Sequence, residues 1–189
     1  NSGRIKWLTM NYFSIKSLYR EFKWGLLLKK LNNIEFLILD VDGVLTDGGL
    51  WYSNKGDISK RFDVKDGLGI NLMQELGIEI VLISGGEGPS TEKRASQLGI
   101  ENCFFDVKDK YQKLKDFQKD NDIPIVKCAY VGDDINDIVV RPLVSLLFTP
   151  LNASDSLKSI SDFRLQNPGG YGAVRELAER ILKAKKSMA

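Results

Sequence analysis

Apolar runs of strand length recur along the chain, and each is followed by a polar turn and a helical pattern. The runs lie at residues 36–39, 80–83, 103–105, 129–131 and 144–148. The helical patterns lie at residues 67–76, 90–98, 110–121, 135–141 and 172–186. Strands that alternate with helices form a parallel sheet whose two faces are covered by helices. The sequence therefore predicts an α/β fold built on such a sheet.

A predicted hairpin interrupts the alternation of strands and helices, and an N-terminal segment precedes it. Between residues 50 and 62 it breaks into two short runs around Asn54-Lys55-Gly56-Asp57, which predicts a β-hairpin. We assign the α/β alternation, of the Rossmann-like type, to a domain at residues 35–189. Residues 1–34 precede it as a separate N-terminal segment.

The N-terminal segment is predicted to hold a lead and a helix. Residues 1–9 are expected to be vector-derived or disordered. Within residues 13–31, apolar residues recur at helical spacing and predict an amphipathic helix. These residues are Ile15, Leu18, Phe22 and Leu26. We expect this helix to pack on the domain or on a neighbouring subunit, in preference to binding a membrane surface.

Composition excludes several classes of function. The 189 residues include no histidine, so Ser-His-Asp and Cys-His nucleophile systems and histidine-bound zinc are excluded. The 27 basic and 25 acidic residues give a net charge of +2, and no basic cluster indicates a nucleic-acid partner. No apolar stretch approaches the ~20 residues that span a bilayer. Cys103 and Cys128 lie in apolar runs without a CxxC pair or a secretory leader, which predicts reduced thiols in a cytoplasmic protein.

Reactive side chains follow the predicted strands or begin the next helix. They are Asp40, Asp42, Ser84, Lys110, Asp133, Asp134 and Asp137. In an open parallel sheet, ligands bind at the carboxyl ends of the strands, so we expect these side chains to share one edge.

Phosphoryl transfer is the chemistry that needs this combination. Oxygen ligands without histidine or cysteine suit Mg²⁺. A carboxylate nucleophile forms an acyl phosphate and divides hydrolysis into two easier steps. The negative phosphoryl group must be neutralised as it transfers, and a metal ion, a lysine and a hydroxyl donor serve that purpose.

These segments resemble the four ordered motifs of the haloacid dehalogenase superfamily of phosphatases. The matching segments are residues 40–47, Ser84-Gly85, Lys110 and residues 132–137. The resemblance covers the chain from about residue 36 onward, and it implies catalytic roles. Asp40 would be the nucleophile and Asp42 the general acid/base. Ser84 would hydrogen-bond the phosphoryl group, and Lys110 would balance its charge.

The same resemblance implies the metal site. Asp40, the backbone carbonyl of Asp42, and Asp133 would hold Mg²⁺. Asp134 would sit beside the metal, and Asp137 would be a supporting carboxylate near Lys110.

Too few residues lie between the motifs for the cap domain that many superfamily members insert. The flanking residues 47–52, 60–67 and 169–176 resemble the capless subgroup that acts on 3-deoxy-D-manno-octulosonate 8-phosphate in lipopolysaccharide biosynthesis. The resemblance implies a homotetramer in which neighbouring subunits close each site. We expect the C-terminal glycine loop to help close a neighbour's site.

Residues that bind the sugar acid are predicted from the same flanks. Positive charge from the hairpin region would hold the substrate carboxylate, with Lys65 as the first candidate and Lys60 and Arg61 as alternatives. A solvated hairpin face would also suit these three cations. Gly85 would contact the phosphoryl group, and Tyr171 would contact the sugar acid.

Three residues differ from those usual in the subgroup. Gly86 stands where arginine is usual and is followed by Glu87, Lys65 replaces an arginine, and Tyr171 stands where arginine is common. Two alternatives therefore stay open, a phosphatase for nine-carbon keto-sugar-acid 9-phosphates and a non-catalytic oligomerisation module of the same fold. A phospho-accepting signalling domain is disfavoured, since it would lack the acid/base Asp42.

Overall fold

The computed structural model describes residues 2–86 and 88–187, and for residues 2–14 and 16 it describes the backbone alone. Asn1 and Glu87 lie outside the described residues. The strands are β1 (Phe36–Leu39), β2 (Trp51–Tyr52), β3 (Ile58–Ser59), β4 (Glu79–Ile83), β5 (Asn102–Phe104), β6 (Cys128–Val131), β7 (Leu146–Thr149) and β8 (Phe163–Arg164). The α-helices are α1 (Ser2–Asn32), α2 (Val64–Glu75), α3 (Pro89–Gln97), α4 (Lys110–Asp120), α5 (Asp155–Ile160) and α6 (Ala173–Ser187). Two 3-10 helices span Ile125–Lys127 and Ile135–Leu143.

Within the described ranges, six parallel strands form the main sheet in the order β5-β4-β1-β6-β7-β8. The central strand is β1, in which Leu37 pairs with Ile80 of β4 and with Ala129 of β6. The predicted parallel α/β sheet is confirmed. Its carboxyl edge carries the residues that follow β1, β4 and β6.

Both faces of the sheet are covered, which explains why its strands are continuous apolar runs. Leu37 and Leu39 face the core beneath α1, α2, α3 and α6. Ile38 and Tyr130 face the opposite core, beneath α4, α5 and the second 3-10 helix. Side chains alternate along each strand, so the central strands β1, β4, β6 and β7 supply apolar residues to both cores.

The N-terminal helix is longer than predicted and packs through a different face. It begins at Ser2, so a disordered lead over residues 1–9 is wrong for its described part. Among the described side chains of α1, Trp24 and Leu31 are buried in the domain, and Leu27 and Leu28 pack against the same core. The predicted stripe instead points away from the domain, and its members Ile15, Leu18, Phe22 and Leu26 are exposed. Apolar residues lie on both faces of α1, so their spacing does not show which face packs on the domain.

Three elements between residues 135 and 164 differ from prediction. The pattern at residues 135–141 forms part of a 3-10 helix, Ile135–Leu143, which contains Pro142 and ends at Leu143. Helix α5 has six residues and β8 has two, and neither was predicted, because such short elements carry no measurable periodicity.

The predicted hairpin is confirmed as β2 and β3, with Trp51 paired to Ser59. An isolated antiparallel bridge between Thr46 and Phe62 fastens the hairpin's second arm to the turn after β1. Neither Cys103 nor Cys128 forms a disulfide. Among the described residues, no helix has the length and apolar character needed to cross a membrane.

Candidate active site

Asp40 is the first residue after β1 and keeps that strand's register. Its backbone N–H donates to the Val131 carbonyl at 3.0 Å, and its Oδ1 accepts from the Val41 N–H at 2.7 Å. The chain then turns at Gly43, whose φ is +78°. A Cβ at Gly43 would lie 1.9 Å from Asp133 Oδ2, so the glycine allows the turns after β1 and β6 to approach each other.

Lys110 joins two carboxylates in the interior of the site. Its Nζ lies 2.8 Å from Asp40 Oδ2 and 2.7 Å from Asp137 Oδ1, and all three side chains are buried. Asp137 also accepts from the Tyr130 hydroxyl at 2.6 Å and from the Asp133 backbone N–H at 2.9 Å. Both Asp137 oxygens are therefore used to position Lys110 and the loop after β6.

The cluster holds more negative than positive charge. Burial, with the nearby Asp137 carboxylate, raises the pKa of Asp40 to about 6, although Lys110 opposes the shift. Burial, with the Asp40 and Asp137 carboxylates, raises the pKa of Asp133 to about 7. Burial disfavours the charged form of Lys110, but Asp40 and Asp137 outweigh it and its pKa is raised. A bound cation would remove the remaining imbalance.

The residues present fit a magnesium ion. Oxygen atoms of Asp40, Asp133 and Asp137 lie within 4.8 Å of one another. Since Asp137 is occupied by Lys110 and Tyr130, Asp40 and Asp133 are the carboxylates best placed as ligands. Hard oxygen donors of this kind suit Mg²⁺. Asp134 is exposed and its Oδ1 accepts from the Ile135 N–H at 2.7 Å, so it caps the 3-10 helix.

Asp42 is held by two side chains on the outer side of the cluster. Its Oδ2 lies 2.8 Å from the Nζ of Lys60, whose side chain is only 2% exposed. Its Oδ1 lies 3.4 Å from Thr46 Oγ1, which also accepts from the Gly48 N–H at 3.2 Å. Asp42 is thus oriented from the hairpin and from its own turn.

Ser84 and Gly86 lie next to Asp42 at the end of β4. The Ser84 side chain is buried, and its Oγ accepts from the Gly86 N–H at 3.2 Å. A Cβ at Gly86 would lie 2.8 Å from Asp42 Oδ2, 3.4 Å from Lys60 Nζ and 3.7 Å from Ser84 Oγ. The absence of a side chain at Gly86 therefore leaves room for the Asp42 to Lys60 contact. Gly85 lies between Ser84 and Gly86 in the chain, and a Cβ there would make only an ordinary contact with the Val107 carbonyl.

The three predicted cations of the hairpin region have different surroundings. Lys60 reaches Asp42, as described above. Arg61 donates to the Gly170 carbonyl at 2.6 Å and lies over the Tyr171 ring, 4.3 Å from its centroid. Lys65 is exposed and lines a groove with Tyr171 and Arg175, outside the contacts of the carboxylate cluster.

The C-terminal glycine loop packs on the turn after β1 of its own chain. The Gly170 N–H donates to the Val44 carbonyl at 2.9 Å, and a Cβ at Gly169 would lie 1.7 Å from the Gly43 carbonyl oxygen. Asp66 accepts from the Gly172 N–H at 3.1 Å and from the Arg175 N–H at 2.9 Å. The loop is thereby fixed beside the site, while Tyr171 remains half exposed.

Sequence reasoning missed three residues that support the site. They are Thr46, Tyr130 and Asp66. Thr46 stands four positions after Asp42 in the same turn, and Asp66 lies beside Lys65 in the predicted flank, so both had a local signal. Tyr130 had none, because it belongs to an apolar run whose side chains were all expected to be core.

The chain is similar to known phosphatases over most of its length. It is 37% identical over 157 residues to the 3-deoxy-D-manno-octulosonate 8-phosphate phosphatase of Haemophilus influenzae, covering 83% of this chain and 87% of that protein. No protein-family model matches the chain.

Solved structures show the same likeness. One from Legionella pneumophila, assigned to subfamily III A of the haloacid dehalogenase superfamily of hydrolases, has a TM-score of 0.85 and 35% identity, covering 90% of this chain and 93% of that one. The 3-deoxy-D-manno-octulosonate 8-phosphate phosphatase of Moraxella catarrhalis, in complex with magnesium, phosphate and the sugar acid, has a TM-score of 0.83 and 33% identity. That alignment covers 86% of this chain and 94% of the Moraxella chain.

Proposed function

The chain belongs to the 3-deoxy-D-manno-octulosonate 8-phosphate phosphatase family of the haloacid dehalogenase superfamily, and on that premise we propose that it is a magnesium-dependent phosphatase for this sugar-acid phosphate. The observation that carries the proposal is the buried contact of Lys110 with Asp40 and Asp137, beside an Asp42 held by Lys60. An oligomerisation module would have no use for such a set of charges. The intact set therefore favours an enzyme over the non-catalytic alternative.

In the first half-reaction, a carboxylate oxygen of Asp40 attacks the phosphorus of the substrate. The bond from phosphorus to the sugar oxygen breaks as the aspartyl phosphate forms, and protonated Asp42 gives its proton to the leaving oxygen. The fixed position of Asp40, held by Val41 N–H and Lys110, supports its role as nucleophile. The contacts of Asp42 with Lys60 and Thr46 orient it towards the leaving group's side.

In the second half-reaction, water cleaves the aspartyl phosphate. Asp42, now deprotonated, takes a proton from the water as its oxygen attacks phosphorus, and Asp40 is released together with inorganic phosphate. One residue thus serves as acid and then as base. Lys60, whose Nζ lies 2.8 Å from Asp42 Oδ2, keeps that side chain in position for both steps.

Charge on the phosphoryl group is balanced from several directions. Asp40, the Asp42 backbone carbonyl and Asp133 would hold Mg²⁺, which when bound supplies positive charge to the phosphoryl oxygens. Lys110 contributes a fixed ammonium, and the Ser84 hydroxyl and the Gly85 N–H would donate hydrogen bonds to the phosphoryl oxygens, while the Gly86 N–H holds Ser84 Oγ in place.

Assembly, location and pathway are also proposed. We propose a homotetramer in the cytoplasm that serves lipopolysaccharide biosynthesis, in which a neighbouring subunit covers each site. The exposed Trp51, Tyr52 and Tyr171 around an open site support the idea of a cover. The Gly169-Gly170 part of the loop contacts its own chain, so Tyr171 is the residue of that loop left to meet a neighbour.

A panel of sugar phosphates tests the substrate. We expect phosphate release with Mg²⁺ from 3-deoxy-D-manno-octulosonate 8-phosphate at a higher kcat/KM than from nine-carbon keto-sugar-acid 9-phosphates or from p-nitrophenyl phosphate. Preference for a nine-carbon substrate would overturn the substrate assignment and keep the chemistry. Failure to hydrolyse any phosphate with Mg²⁺ would overturn the enzyme assignment itself.

A further inference from the structure

The outer face of α1 carries a stripe of large apolar side chains. Its members are 63–67% exposed, and they are Ile15, Leu18, Tyr19, Phe22 and Leu26. Successive helical residues are rotated by about 100°, so these five fall within an arc of about 100°. Trp24 and Leu31, which α1 buries in the domain, lie on the opposite side. The helix is therefore apolar on two faces, and the domain covers only one of them.

The surroundings of this stripe are basic. Residues 2–32 contain one acidic residue, Glu21, and seven basic residues: Arg4, Lys6, Lys16, Arg20, Lys23, Lys29 and Lys30. The Glu21 carboxylate is paired with Arg180 of α6 at 2.5 Å. Lys29 and Lys30 are exposed near the end of the stripe. Arg20 is paired with Glu176 of α6. Basic residues nevertheless outnumber acidic ones along α1, and Lys29 and Lys30 are the exposed cations closest to the stripe's end.

A basic groove continues the surface beyond the stripe. It has a volume of about 690 Å³ and is lined by Tyr19 of the stripe together with cations from three elements. These cations are Arg20 and Lys23 of α1, Lys158 of α5 and Arg164 of β8. Arg20 is paired with Glu176 and Lys158 with Asp155, so Lys23 and Arg164 carry the remaining positive charge of the groove. None of the described residues that line it is acidic. An apolar stripe and a cationic groove therefore share one side of the protein, although they come from distant parts of the sequence.

We propose that α1 docks the protein onto an anionic lipid surface. The helix would lie in the plane of the interface, with the stripe among the acyl chains and the lysines among the negative headgroups. Charge complementarity favours this occupant over a second copy of the chain. Two α1 stripes brought together would place Lys29 and Lys30 of both copies at one interface, whereas an anionic bilayer attracts these exposed lysines.

Vesicle flotation tests the proposal with the full-length chain. We expect the protein to float with vesicles of phosphatidylcholine and phosphatidylglycerol, and to remain in the soluble fraction with phosphatidylcholine alone. Leu18→Ser with Phe22→Ser should weaken binding at least about tenfold, since both side chains would lose their apolar surroundings. The matched control, Ile125→Ser with Val126→Ser, changes two exposed apolar residues elsewhere and should bind as the wild type does.

Charge is tested separately. Lys29→Gln with Lys30→Gln should weaken binding to the anionic vesicles by roughly fivefold for each lysine, and Lys115→Gln with Lys119→Gln should have little effect. Unchanged hydrolysis of p-nitrophenyl phosphate would show that all variants are folded. The proposal is overturned if the wild type does not float with anionic vesicles, or if the stripe variant floats equally well. It is also overturned if the stripe variant loses subunits by light scattering and the wild type binds no lipid, because the stripe would then face a second copy.

Discussion

The carboxylate cluster and the flank beside it are built in opposite ways. We define the flank as the hairpin and glycine loop, residues 50–62 and 167–172. In the cluster, Asp40, Lys110 and Asp137 are 4%, 4% and 0% exposed. In the flank, Trp51, Tyr52 and Tyr171 are 71%, 67% and 50% exposed.

This difference separates chemistry from recognition. Lys110 contacts both Asp40 and Asp137, and each of the three is held by the end of a strand or helix, as reaction geometry requires. Among the described residues, the flank side chain that forms an ion pair with the cluster is Lys60, by its contact with Asp42. The glycine loop packs on the backbone of the turn after β1. Substitutions in the cluster should therefore affect every substrate equally, and substitutions in the flank should affect the sugar acid more than a small aryl phosphate.

The largest expected effect tests the cluster at Asp40. Asp40→Asn should reduce hydrolysis of p-nitrophenyl phosphate and of the sugar phosphate alike, by about 10⁴-fold or more, because the amide is not a nucleophile. Asp155→Asn is the control, an exposed aspartate of α5 with no role in the site, and it should stay close to wild type. Steady-state rates with circular dichroism as a check on folding measure both. Near-wild-type turnover of Asp40→Asn would end the assignment.

The next effect concerns Asp42, where cluster and flank meet. Asp42→Asn should lower kcat by roughly 10²–10⁴-fold, since general acid and base are both lost. Lys60→Met removes the cation beside Asp42 and should lower kcat for both substrates by about tenfold. The loss is smaller than for Asp42→Asn, because the Asp42 carboxylate is still present and partly solvated. Lys65→Met is the matched comparison and should raise KM for the sugar acid only. If Lys60→Met changed only KM for the sugar acid, Lys60 would belong to recognition instead.

Magnesium should stabilise the cluster in a pH-dependent way. The pKa values of Asp40 and Asp133 are raised from 3.8 to about 6 and about 7, so the folded, metal-free protein holds protons more tightly than the unfolded chain. Its stability therefore falls as pH rises from about 4 through 7. Mg²⁺ reverses this loss above pH 7, contributing about 2.7 kcal/mol at a hundredfold excess over Kd.

Thermal unfolding with Mg²⁺ and with EDTA, at pH 5 and at pH 8, measures this contribution. The shift in Tm on adding Mg²⁺ should be larger at pH 8, because protons compete for the same oxygens. Asp133→Asn should lose most of the shift, whereas Asp155→Asn, at an exposed position of α5, should retain it. An equal shift at both pH values would mean that these carboxylates do not bind the ion.

The smallest effect tests the flank at Tyr171. Tyr171→Ala removes the ring beneath Arg61 and should lower kcat/KM for the sugar phosphate by a few fold, corresponding to about 0.5–1 kcal/mol. Hydrolysis of p-nitrophenyl phosphate should not change. An equal loss with both substrates would indicate that the loop positions the cluster, and the separation between the two regions would fail.

Much of the fold and of the cluster could be predicted from sequence, because their signals are local. A strand buried on both faces is a continuous apolar run, and residues 36–39 show it plainly. Parallel strands end at one edge, so Asp40, Ser84 and Asp133 were expected to be neighbours before any distance was known. The proposed roles of these residues stay predictions until the variants are measured.

Only the tertiary structure decided which partners these residues have. Spacing could not show that Lys60 reaches Asp42 while the better-ranked Lys65 faces a groove, because that choice depends on how Phe62 bridges to Thr46. Nor could it show that α1 buries Trp24 and leaves Phe22 outside, since both of its faces are apolar. Local pattern sets the identity and direction of an element, whereas the contacts of its side chains come from segments far away in the chain, which only packing brings together.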